Sequence, residues 1–246
     1  MRVTLTRRAF GQSLSALAFA GVTGRIAVRA EHGQERLVPA QDAADHLLLG
    51  AADREAGIRW VEERTGVKAV IGGSHPGRGT CNALLSLGER HYLEIIAPDP
   101  EQTQMASRYQ SLKALTTPRL ITWAAATDNA EATAKRCRAA GLTVAGPDPG
   151  SRQRPDGKTM RWTTVAVNTD LEVVIPFFIE WGRDVIHPSA DSPQGCRLQS
   201  LTFAHPQPDR VRDTLARMGI DATVTSGREA SLTAVLQTPK GRLELR

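Results

Sequence analysis

Gly72-Gly73-Ser74-His75-Pro76-Gly77-Arg78-Gly79-Thr80-Cys81-Asn82, followed at once by Ala83-Leu84-Leu85-Ser86-Leu87-Gly88-Glu89-Arg90-His91-Tyr92-Leu93-Glu94-Ile95-Ile96-Ala97-Pro98, is the stretch whose reading decides the rest of this chain. Two apolar runs, residues 83–87 and 92–97, flank Gly88-Glu89-Arg90. Apolar runs bounded by turn residues read as a β-hairpin. One carboxylate, Glu94, stands inside the second run among Leu93, Ile95 and Ile96. An unpaired buried charge is costly, so Glu94 requires a metal ion, a basic side chain or a substrate. The glycine-rich loop ahead of the hairpin carries His75 and Arg78, with Thr80 and Asn82 just beyond. Its backbone N–H groups and guanidinium suit a carboxylate or a phosphate. The same glycines would also suit a rigid turn in which His75 is a hydrogen-bond post.

Outward from this stretch the chain repeats itself. Asp45-His46-Leu47-Leu48-Leu49-Gly50 reads as a short buried strand. Asp53 is placed to cap a helix running to Arg64, with Ile58 and Val61 on one face and Gly66 as its stop. Residues 67–71 read as a second strand, and the hairpin supplies two more. The order of strand, helix and strands recurs with an apolar run at 120–126, a helix opening on Asp128 with Glu131 as a capping box, a polar loop over 146–158, and strands at 163–167 and 173–180. It recurs again with a strand at 198–203, a helix opening at Asp209, and strands at 222–224, 232–237 and 243–245. Helix starts (Asp53, Asp128, Asp209) and helix stops (Gly66, Gly141, Gly219) lie 75 to 81 residues apart. The strand ends Tyr92-Leu93-Glu94-Ile95, Phe178-Ile179-Glu180-Trp181 and Arg242-Leu243-Glu244-Leu245 align as well. One supersecondary unit used three times accounts for this.

A tandem βαβββ unit resembles the vicinal oxygen chelate superfamily, which includes glyoxalase I, extradiol dioxygenases and bleomycin-resistance proteins. More narrowly, D-H-L-L-L-G with the segment H-P-G-R-G-T-C-N and Y-L-E-I-I resembles the glyoxalase-like domain proteins, over residues 45–188. The resemblance implies an α+β fold in which tandem βαβββ units form curved mixed sheets around a cavity. It places a glyoxalase-like domain of two units at 45–190 and a third βαβββ-like unit at 197–246. The third unit then either packs on the first two or pairs with a second copy in a homodimer.

The resemblance also implies a divalent metal held by a His on the first strand and a Glu on the last, here His46 and Glu94. Imidazole with carboxylate suits zinc, iron, manganese or nickel. The second unit departs from the pattern, because Ile121 stands seven residues before Asp128 where a His is expected. Glu180 remains, as a ligand or a general base, and His187 follows it toward the same cavity. His75, Arg78, Thr80, Asn82 and His187 are the candidate substrate-binding residues. The same residues would serve structure alone if His46 bonded the sheet edge and each Glu met an arginine. The expected function is a metal-dependent lyase, isomerase or dioxygenase acting on a small oxygenated molecule. The alternative is a non-catalytic ligand-binding protein of the bleomycin-resistance kind, favoured by the missing second His.

Composition narrows the partners. A net charge of +5 spread along the chain, with 4% aromatic residues, gives neither the basic patch nor the stacking platforms of a nucleic-acid binder. No G-x-S-x-G elbow, Walker loop or dinucleotide fingerprint is present. Arg7-Arg8, an apolar segment over 13–22 and Ala27-Val28-Arg29-Ala30 resemble a bacterial twin-arginine signal peptide over residues 1–30. A linker follows over 31–44. The apolar segment is too short to span a bilayer, so the expected location is the periplasm or outside the cell. Cys81, Cys137 and Cys196 form no C-x-x-C pair. An oxidising compartment allows them one bridge, though all three read as buried packing residues.

Overall fold

The computed structural model describes residues 36–154 and 156–246. The twin-arginine segment lies outside the described residues.

Apolar alternation builds the central sheet. Strand β1 (Ala44–Gly50) is followed by helix α1 (Arg54–Thr65) and strands β2 (Val70–His75), β3 (Thr80–Ser86) and β4 (Tyr92–Pro98). Asp53 caps α1 by accepting from the Ala56 amide, and Gly66 ends it in the left-handed conformation at φ 78°. The second unit repeats the order with β5 (Arg119–Ala126), α2 (Ala130–Ala139), β6 (Val144–Gln153), β7 (Thr159–Val167) and β8 (Phe177–Trp181). All eight strands form one mixed sheet in the order β2-β3-β4-β1-β5-β8-β7-β6. In each half the first strand runs parallel to the last, as His46 beside Tyr92 and Ala124 beside Phe177. The halves meet antiparallel at the centre, where Leu47 faces Trp123. The sheet curls until its outer strands β2 and β6 meet, with Arg152 Nη1 donating to the Gly72 carbonyl. This is the α+β architecture of curved mixed sheets around a cavity that the resemblance implies.

Alternation of side chains sorts the two faces. His46, Leu48, Tyr92, Glu94, Ile96, Phe177, Ile179 and Trp181 point into the cavity. Leu47, Leu49, Leu93, Ile95, Trp123 and Phe178 point to the opposite face and join the main core.

Four of the remaining strands, β9 (Arg197–His205), β10 (Val224–Ser226), β11 (Ser231–Thr238) and β12 (Gly241–Leu245), form a separate sheet ordered β10-β9-β11-β12, with helix α3 (Pro208–Arg217) between β9 and β10. Here the first strand pairs with the second in parallel and with the third antiparallel, and not with the last. Phe203 of β9 packs on Trp123 with ring centroids 5.5 Å apart, which joins this layer to the centre of the main core. Residues ahead of β1 contribute a two-residue strand, Val38–Pro39, and a short helix, Ala40–Ala43.

Several local expectations differ from the structure. The glycine-rich loop is mostly strand: residues 72–75 belong to β2 and pair with β3, leaving only the tight turn at 76–79. The polar loop over 146–158 is largely β6, whose Pro147 and Pro149 are tolerated because it is an edge strand. Helix α2 is capped by Asn129, which accepts from the Ala132 amide, and not by Asp128. Helix α3 begins at Pro208, pre-organised for a first helical position, with no side-chain cap. Cys81, Cys137 and Cys196 are free thiols and buried. Among the described residues no helix is long and apolar enough to cross a membrane.

Candidate functional site

Glu94 is the centre of the cavity and is buried. Its strand position puts it between two imidazoles. His46 Nε2, from β1, lies 3.5 Å from Oε2, and His75 Nε2, from the end of β2, lies 3.5 Å from Oε1. Asn82 of β3 donates its Nδ2 to Oε1 at 2.7 Å. Burial would raise the Glu94 carboxyl, but His75, His46 and the Asn82 bond outweigh it and hold it below its ordinary value.

Each imidazole is fixed from behind. His46 Nδ1 lies 2.7 Å from Asp45 Oδ1. Asp45 is itself buried, and its second oxygen accepts from Trp181 Nε1 at 3.1 Å and meets His187 Nε2 at 3.0 Å. Burial pushes the Asp45 carboxyl upward, yet its bonds to His187 and His46 prevail and keep it well below the usual carboxylate range. Asp45 is therefore an acceptor only, and His46 Nδ1 carries the hydrogen between them. The second imidazole, His75, meets Thr80 Oγ1 through Nδ1 at 2.9 Å. Burial lowers its pKa to about 4 against the opposing pull of Glu94, so it is neutral at pH 7.

One electrostatic requirement follows. With Nδ1–H committed to Asp45, His46 turns Nε2 toward an ionised oxygen of Glu94. A bare lone pair there would face a carboxylate, so a positive centre belongs between them. A proton or a metal ion meets that requirement.

The expected binding residues divide between the cavity wall and its supports. Arg78, from the turn, lines the cavity. Thr80 holds His75, and Asn82, which lines the cavity, holds Glu94 and lies 3.3 Å from His75 Nε2. The turn amides expected to receive an anion are taken, because Gln102 Oε1 accepts from Gly77 N and Gly79 N. His187 stands behind Asp45, with Nδ1 2.8 Å from Ser189 Oγ. Glu180 does not join this group. Its carboxylate accepts from the Ala130 amide at 2.8 Å, on the helix side of the sheet.

Among the described residues the second unit lines the cavity with no imidazole or carboxylate. Thr122 faces Leu48 across the central pair, and Phe177 and Ile179 occupy the inward positions of β8. Aromatic rings of Tyr92, Tyr109, Trp162, Trp181 and Phe177 complete the wall, with Tyr92 stacked on His46 at 4.5 Å. Arg152, buried at the seam between the sheet edges, is among the cavity residues that sequence reasoning missed, with Trp162 and Tyr109. Its signal was hidden because Pro147, Pro149 and Gly150 made its strand read as loop.

Among the described residues no three His, Cys, Asp or Glu side chains form a group that could hold a metal ion as they stand. The donor chemistry around Glu94 still fits one. Two imidazole Nε2 atoms face one carboxylate, and each Nδ1 is held by an outer partner, Asp45 or Thr80. Outer partners of that kind orient metal-binding imidazoles, and imidazole with carboxylate suits a transition metal.

A curled sheet of two βαβββ halves around a polar cavity is the vicinal oxygen chelate fold. Residues 44–219 match the glyoxalase-like domain family, and the chain belongs to it. No curated protein matches the chain significantly. Among solved structures it is similar to a hypothetical protein from Staphylococcus aureus, at 14% identity and a TM-score of 0.60, covering 76% of this chain and 87% of that one. It is also similar to methylmalonyl-CoA epimerase from Mycobacterium tuberculosis, at 17% identity and a TM-score of 0.41, covering 61% of this chain and 94% of that one. A further neighbour is the Streptomyces coelicolor epimerase in complex with 2-nitronate-propionyl-CoA, at 17% identity and a TM-score of 0.41, covering 58% and 97%.

Proposed function

We propose that this chain is a lyase or isomerase acting on a small oxygenated molecule, with Glu94 as the group that moves a proton and a divalent metal ion held by His46 and Glu94, with His75 beside them. The observation that supports it is the approach of His46 Nε2 to Glu94 Oε2, 3.5 Å apart, with His75 Nε2 3.5 Å from the other carboxylate oxygen. A divalent ion held by His46 and Glu94 would supply Lewis-acid polarisation of substrate oxygens.

The remaining chemistry belongs to the protein. Asp45 fixes the His46 tautomer, and Thr80 fixes the orientation of His75. Asn82 holds Glu94 Oε1 in place. A proton taken up at that oxygen stays within reach of His75 Nε2, 3.5 Å away. Glu94, and not Glu180, is the carboxylate with access to substrate.

The test is elemental analysis of the full-length protein after native export, beside a Glu94→Gln variant. One equivalent of zinc, iron, manganese or nickel, lost in the variant, is the expected result. Turnover of a hydroxy acid or hemithioacetal should fall at least a hundredfold with Glu94→Gln. A folded protein that takes up no metal and turns over none of these compounds would sink the proposal and leave a ligand-binding protein in its place. The same preparation tests the proposed export to the periplasm, since processing near Ala30 shortens the chain.

A further inference from the structure

Arg152 is 5% exposed and lies on the cavity face of β6, two residues beyond Gly150, which pairs with Trp162. Its Nη1 donates to the Gly72 carbonyl across the seam of the curled sheet. One backbone oxygen does not neutralise a guanidinium, which offers five N–H donors. The nearby carboxylates are already engaged. Glu94 meets His46, His75 and Asn82, while Asp156 and Asp191 both pair with Arg154. Among the described residues Arg152 forms no ion pair with any of these acids. Glu94 and Asp191 act on Arg152 through their charge, but neither pairs with it directly, so the remaining guanidinium N–H groups are available to an anion.

The walls beside it define what carries that anion. Trp162 and Trp181 meet edge to face at 5.9 Å, and Tyr109 and Phe177 line the same cavity. Arg78 adds a second cation to the wall. We infer that the cavity takes a small carboxylate on a planar, apolar frame, and that Arg152 is the residue that recognises its carboxylate. The guanidinium plane presents two parallel N–H groups that match two carboxylate oxygens. A phosphate dianion would call for further donors, and the turn amides that could have served are bonded to Gln102. The inference rests on the reading of this cavity as the substrate site, and it names the substrate class.

Calorimetric titration of the full-length protein with benzoate, benzamide and inorganic phosphate tests it. Benzoate should bind at least tenfold more tightly than benzamide, its neutral isostere, and phosphate should not compete. Arg152→Gln should erase the preference, while Arg152→Lys, which keeps the charge but not the planar fork, should retain part of it. Equal binding of benzoate and benzamide, no binding of either, phosphate bound in place of benzoate, or an unchanged preference in folded Arg152→Gln overturns the inference. Should Arg152→Gln not fold, the three wild-type titrations still decide. The Glu94→Gln variant separates the two readings. Benzoate preference retained there, with turnover unaffected, would remove the acid–base role of Glu94 and leave the carboxylate site standing.

Discussion

Any side chain at position 72 would place its Cβ 2.2 Å from Asn82 Oδ1, so the glycine there is what lets Asn82 stand against Glu94. Among the described residues that oxygen is buried without a hydrogen-bond partner, while the Nδ2 of the same amide holds the carboxylate. Gly72→Ala should therefore push Asn82 off Glu94. Overpacking of this kind costs about 1–3 kcal/mol, readable as a lowered urea midpoint, and metal uptake should weaken with it. An unchanged midpoint and unchanged uptake would show that Asn82 is free to move. His75 gives a prediction in pH. Its folded pKa of about 4 lies below the ordinary 6.5, so the unfolded chain binds a proton that the folded one resists. Stability is thus full above pH 6.5 and falls as pH drops toward 4. The loss at pH 5 is about 2 kcal/mol. Asp45 and Glu94, both held below their ordinary values, add their losses only at lower pH. His75→Asn should flatten unfolding free energy between pH 7 and 5, and an equal slope in both proteins would refute the assignment. At this scale much could be read directly. Glu94 announces itself as a charge in an apolar run, and His46 and His75 by their motifs. Asp45 does not, because an aspartate at a strand start reads as an ordinary surface residue until the fold buries it.

Strand phase explains what happened to Glu180. Aligning Tyr92-Leu93-Glu94-Ile95 with Phe178-Ile179-Glu180-Trp181 matches the letters but slips the second unit by one residue. Phe177, Ile179 and Trp181 hold the inward positions that Tyr92, Glu94 and Ile96 hold in the first. A one-residue slip moves a side chain to the other face of a sheet. Glu180 accordingly serves α2, where it receives the Ala130 amide while Asn129 receives Ala132. A carboxylate at a helix N-terminus also suits the helix dipole. Glu180→Ala should cost about 1 kcal/mol of stability and leave metal uptake and benzoate binding as in the wild type. A loss of either with the fold intact would return Glu180 to the site. Element type was legible wherever periodicity or caps were strong, as in α1 and the β3–β4 hairpin. It was not legible in β6, because prolines and glycines mark loops in a chain read alone. An edge strand is spared the hydrogen bonds that make them unfavourable in a sheet centre.

For the molecule as a whole, the repeat in the sequence conceals a change in architecture. The first two units share one sheet, closed by Arg152 and Gly72. The third keeps the element order but pairs its strands differently and packs on the helix side. It reaches both helix ends: Lys240 Nζ donates to Glu63 O at 2.7 Å near the end of α1, and Arg217 Nε donates to Ala140 O at 2.8 Å at the end of α2. Basic groups belong at such carbonyl ends. Between these two contacts Phe203 covers Trp123, which is fully buried and donates Nε1 to Val174 O at 3.0 Å. Trp123 stands opposite Leu47, next to His46, so the layer that covers it also backs the strand carrying the site. Phe203→Ala should cost about 3–5 kcal/mol, as large aromatic truncations in cores do, without changing which anion the cavity prefers. Removing residues 197–246 should do more, because it uncovers the apolar face of the central strands at once. A truncated chain that binds a hydrophobic dye and loses its cooperative melt is the expected result. If instead it melts as sharply as the full chain and still prefers benzoate, the two halves are complete without the third layer. The coupling drawn from Trp123 would then be void.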